Sequence, residues 1–63
     1  MILFKVNFKN NIATTAEFTL PHQPVEWMEN PYTIVYIEVY ANNNMQALEL
    51  AQAKANMLLK SNQ

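Results

Sequence analysis

The titratable side chains in this sequence are few, five glutamates, four lysines, three tyrosines and His22, and Ser61 is its one serine. Asp, Arg, Cys and Gly are absent. Without Asp, and with one serine near the end of the sequence, the usual Ser-His-Asp triad cannot be assembled. Zinc needs three or four protein ligands, and a lone His22 without cysteine supplies no plausible set. Phosphate-cradling loops and dinucleotide turns need glycine where the backbone approaches the ligand. Lack of arginine removes the bidentate contact to guanine and phosphate. A net charge of −1 offers no electrostatic footprint for duplex DNA. Glu17 and Glu38 could share one face of a sheet as a glycosidase-like pair, but nothing in the sequence builds a pocket around them. The expectation is a chain that is not an enzyme and takes no cofactor or metal.

Recognition chemistry has a better candidate in Tyr32-Thr33-Ile34-Val35-Tyr36-Ile37-Glu38-Val39-Tyr40. Side chains of a strand alternate between faces. One face reads Thr33, Val35, Ile37, Val39 and suits a core. The other reads Tyr32, Ile34, Tyr36, Glu38, Tyr40, with Lys5 expected beside it. If one helix covers the sheet, this second face stays open, and a row of aromatics there marks a contact surface. Trp27 is a further candidate. It either caps the end of a small core, the preferred reading, or anchors a partner from a loop. His22 has no companions for metal or base chemistry and reads as a solvated loop residue.

The elements that must position these groups follow from periodicity. Residues 2–8 place Ile2, Phe4, Val6 and Phe8 on one side, and residues 12–20 place Ile12, Thr14, Ala16, Phe18 and Leu20 on one side. Asn10-Asn11 marks a hairpin. A two-residue loop would set the two apolar sets on opposite faces. A three-residue loop, Lys9-Asn10-Asn11, pairs Phe8 with Ile12 and puts Asn11 in a left-handed position that Asn tolerates; Lys5 and Glu17 are then diagonal neighbours. Residues 21–31, PHQPVEWMENP, read as a proline-bounded connection in which Pro24 could start one helical turn. From Asn43, a good N-cap with Gln46 three residues on, a helix runs to about Lys60. Ala47, Leu48, Ala51, Ala55, Leu58 and Leu59 form its core stripe, and Leu50 and Met57 a second apolar shoulder. Ser61, Asn62 and Gln63 should fray.

The expected fold is therefore α+β: a single domain over residues 1–63, with a three-stranded antiparallel sheet and one C-terminal helix packed on one face (β-β-β-α). The pairing of the third strand is left open. A composition of 51% hydrophobic and 14% charged residues argues against disorder. The apolar runs are too short to span a bilayer, and the alternating N-terminal residues are unlike a secretory leader. Absence of cysteine fits a reducing compartment. A soluble cytoplasmic protein is expected.

The stretch Val39-Tyr40-Ala41-Asn42-Asn43-Asn44-Met45-Gln46-Ala47-Leu48-Glu49-Leu50-Ala51 resembles a strand-to-helix junction of small phage-encoded proteins. It is similar to the junction in the short RNA polymerase inhibitors of T7-like phages. The resemblance covers those residues alone, and in those inhibitors the helix lies between strands whereas here it comes last, so no functional residue is carried over. Size and build also resemble anti-CRISPR and other anti-defence proteins. The resemblance implies a phage or mobile-element inhibitor that occupies the surface of a bacterial host enzyme or defence complex. Tyr32, Ile34, Tyr36 and Tyr40 would be its anchors, Trp27 a loop contact, and Lys5 and Glu38 its polar rim. Two other readings stand beside it: a single-stranded nucleic-acid binder stacking bases on the tyrosines, and a structural homodimer.

Overall fold

The computed structural model describes residues 1–61. Five elements follow in order: β1 (Ile2–Lys9), β2 (Ile12–Phe18), β3 (Glu26–Asn30), β4 (Thr33–Ala41) and α1 (Asn44–Ser61). The strands form one antiparallel sheet in the order β2-β1-β4-β3, and α1 packs on one face. The sheet thus has four strands, not the expected three. The additional strand, β3, lies inside the segment read as a loop, and Pro24 precedes it without opening a helical turn. Its sequence, EWMEN, shows no apolar alternation. Pairing with β4 along one edge makes it a strand, so tertiary context outweighs local pattern here. The open question of pairing is resolved by β4 lying against β1.

The β1–β2 hairpin differs from expectation in an instructive way. Its loop is the two-residue Asn10-Asn11, with both residues left-handed at φ 53° and 64°, and Lys9 opposite Ile12. Positive φ at both central positions is the type I′ pattern that matches strand twist. The face conflict this loop creates is removed by a bulge. Asn7 pairs with Thr15 but Phe8 pairs with Ala13, leaving Thr14 as the extra residue. Thr14 donates its hydroxyl to Asn7 O at 3.0 Å. Beyond the bulge Val6 faces Ala16 and Phe4 faces Phe18, so both apolar sets share one face, and Lys5 sits directly opposite Glu17 rather than diagonally.

A second bulge redirects β4. Trp27 pairs with Tyr36 and Met28 with Ile34, so Val35 is extra. Ile34 is thereby turned into the core, 2% exposed, while Val35 faces solvent. Ile37 and Val39 keep the core face as expected, and Ala41, expected in the connection to the helix, joins them.

The helix behaves as its stripe requires. Asn43 Oδ1 accepts the Gln46 N–H at 2.8 Å, and Gln46 Oε1 accepts the Asn42 N–H at 2.6 Å. This is a capping box shifted by one residue. Ala47, Ala51 and Ala55 are fully buried against Phe4, Val6, Ile34 and Ile37, with Leu48, Leu58 and Leu59 packed around them. Small side chains at these positions let the helix lie close to the sheet. Leu50 and Met57 remain exposed. Ser61 is helical, its hydroxyl donating to Met57 O at 2.9 Å; the fraying expected of Asn62 and Gln63 lies outside the described residues. No helix among the described residues is long and apolar enough to cross a membrane.

Candidate functional site

Because β2 and β3 are the two edges, the chain joining them must pass both inner strands. It crosses the face away from the helix, at the end where β1 starts and β4 finishes. Thr19 N–H donates to Leu3 O at 3.0 Å, and Glu38 N–H to Val25 O at 2.9 Å. Tyr40 donates its hydroxyl to His22 O at 3.1 Å. The His22 ring places Nε2 2.6 Å from Glu38 Oε1, and the same oxygen accepts the Val25 N–H at 3.1 Å. Glu38 is only 5% exposed. A carboxylate can be buried this far because two donors replace its lost water. Leu3, on this face too, is fully buried at the same end.

The crossing covers one end of the face and leaves the other. There Trp27 of β3, Tyr36 of β4, Asn7 of β1 and Thr15 of β2 are successive cross-strand partners in one row. Trp27 is 57% exposed. Tyr36 is half-buried, with Lys5 Nζ 4.4 Å from its ring centroid. That is cation–π distance. Asn7 Nδ2 donates to Thr15 Oγ1 at 3.2 Å and to Glu17 Oε1 at 2.9 Å, which fixes the polar side of the row.

The structure divides the expected site residues. Tyr36, Trp27, Lys5 and Glu38 come together on one face. Ile34 does not join them, because the bulge at Val35 turns it into the core. Tyr40 is on the face, but its hydroxyl is committed to the crossing segment. Tyr32 lies in the β3–β4 turn, where its N–H binds Asn30 Oδ1 at 2.8 Å and its carbonyl accepts from Asn11 Nδ2 at 2.8 Å. Trp27 does not cap the core; it stands in solvent on a strand. Asn7, Thr15 and His22 belong to this face and were not anticipated. The alternation of β1 already set Asn7 beside Lys5, whereas His22 could be placed only once the strand order was known.

Acid–base chemistry gains no support from the geometry. Lys5, on the intervening strand, is the direct partner of both Glu17 and Glu38, and Glu38 is engaged by His22 and Val25. A shallow depression between α1 and β2 is open to solvent, and Glu49 is the one titratable side chain lining it. Comparison of the chain with protein-family models, curated proteins and solved structures finds no match.

Proposed function

We propose that this chain is a non-catalytic protein-binding module whose contact surface is the uncovered end of the sheet face, centred on Trp27 and Tyr36 with Lys5 and Asn7 beside them. The observation that carries this reading is an indole 57% exposed, held on a strand by direct pairing with Tyr36. Apolar surface left in water costs roughly 25 cal/mol per Å², and rigid aromatics of this kind are the anchors of protein interfaces. Lys5 is half-buried and has the exposed Glu17 as a cross-strand partner, with Glu38 buried under the crossing on its other side, so a phosphate chain would meet no net positive charge from this group. That balance favours a protein partner over nucleic acid. The likeness of Val39–Ala51 to phage-encoded inhibitors supports a bacterial host enzyme or defence complex as the partner class. The lack of cysteine supports the cytoplasm as the setting.

The test is affinity capture from bacterial lysate with the wild-type chain and with Trp27→Ala, each with and without nuclease. A nuclease-resistant protein that binds the wild type and loses about fivefold or more in affinity to Trp27→Ala is the expected result, since such anchors are worth over ~1 kcal/mol. Equal capture by both chains rejects this surface. Partners lost after nuclease would move the assignment to nucleic acid.

A further inference from the structure

The two edges of the sheet are protected unequally. β3 is short, its ladder with β4 is interrupted at Val35 and at Glu29, and it bears Glu26 and Glu29; such features discourage pairing. On β2 the helix does the blunting, and only in part. Gln52 Oε1 accepts the Ala13 N–H at 2.8 Å, and Asn44 Nδ2 donates to Ala16 O at 3.0 Å. Beyond Ala16 no helix side chain among the described residues bonds to the edge. Antiparallel ladders alternate hydrogen-bonded and non-hydrogen-bonded pairs. Thr19 N–H binds Leu3 O, so the neighbouring Phe4–Phe18 pair is of the second kind. Both backbone groups of Phe18 therefore point to the free edge. The Phe18 side chain, 5.3 Å from Phe4 between ring centroids, is 71% exposed, and Leu20 is 83% exposed.

We infer that this edge is an interface between two copies of the chain, β2 pairing antiparallel with β2 of the second copy about a twofold axis at Phe18. The free window has that symmetry. The Asn44 bond engages Ala16, two residues before Phe18, and beyond Leu20, two residues after it, the chain bends at Pro21 and His22 into the crossing. The side chains match themselves under the same axis. On the helix side Ala16 meets Leu20 of the second copy and Phe18 meets Phe18, an apolar seam. On the other side Glu17 meets Thr19, so no like charges stand opposite. The two Phe18 residues exchange a pair of backbone bonds, and the sheets join into one of eight strands. This interface is separate from the Trp27 face and does not depend on it.

Sedimentation equilibrium from micromolar to millimolar concentration tests the inference. The wild type should pass from monomer to dimer. Phe18→Lys, which sets two ammonium groups on the axis, should stay monomeric with an unchanged circular dichroism spectrum. Thr19→Lys, which sets lysine opposite Glu17 of the second copy, should tighten the dimer several-fold and lose that gain in high salt. The second variant decides the matter should the first fail to fold. A wild type that is monomeric throughout overturns the proposal. So does a dimer insensitive to Thr19→Lys, because its interface then lies elsewhere. Trp27→Ala should leave the dimerisation constant unchanged.

Discussion

On β1 the two faces of the sheet start from one alternation, with Phe4, Val6 and Phe8 on one side and Leu3, Lys5 and Asn7 on the other. They are completed by different physics. The first is closed by a helix that presents three buried alanines, so it is held by non-directional burial over its length. The second is closed over one end only, by a segment held through directional bonds to Glu38, Tyr40 and Leu3. Burial tolerates adjustment of register, and the bulges at Thr14 and Val35 both serve to return apolar side chains to the helix face. Directional bonds act only where their partners stand. The crossing therefore stops at Glu38, and the row beyond it, Trp27 and Tyr36, stays in water.

On this division the largest effects of substitution lie on the helix face. Phe4→Ala removes a fully buried ring beneath the helix. Such changes cost about 3–5 kcal/mol. Total stability at roughly 0.05–0.15 kcal/mol per residue leaves little for a chain this short to lose. The variant should be largely unfolded at 25 °C by circular dichroism. A cooperative thermal transition close to that of the wild type would break the comparison, because the core would then not be the main support. The next effect should come from the crossing. Glu38→Ala leaves the Val25 N–H and the His22 ring without their buried acceptor, at a cost of about 1–3 kcal/mol. Amide exchange should quicken first at Val25, whose N–H loses its acceptor, with α1 still protected. Uniform loss of protection across the helix instead would show that the two faces form one cooperative unit.

Those two sites also show what could be read from the sequence. The helix was legible because its alanine stripe and the Asn43–Gln46 cap are local properties, as was the alternation of β1. The bulges were not. A bulge at Thr14 is selected by matching Ala16 and Phe18 against Val6 and Phe4, and one at Val35 by burying Ile34, so both depend on partners distant in sequence. The adjacent left-handed positions of Asn10 and Asn11 were readable as a two-residue turn, but only with the bulge could that turn reconcile the faces. β3 was hidden because EWMEN between prolines has neither alternation nor β-branched residues. With β3 missing and the pairing of β4 open, the edges of the sheet cannot be assigned from the sequence. No crossing could then be foreseen, and Glu38 and Tyr40 read as exposed rim and anchor when they are what the crossing holds.

The smallest expected effect belongs to the uncovered end, and it sharpens the contrast most. Lys5 is half-buried, with its ammonium over Tyr36 and glutamates as partners on both neighbouring strands. Lys5→Met keeps an unbranched apolar stem over the ring and deletes the charge. The lost cation–π attraction is worth about 0.5–1 kcal/mol at a site of this exposure. Urea denaturation should therefore show a midpoint lowered slightly and an unchanged slope. A loss above ~2 kcal/mol would mean that the uncovered row is a structural support, because interactions of this class do not reach that size when solvated. A small loss, alongside the large one for Phe4→Ala, would leave the Trp27–Tyr36 end as surface that the fold does not need for its own stability. That is the property a contact face must have if its residues are to be set by a partner.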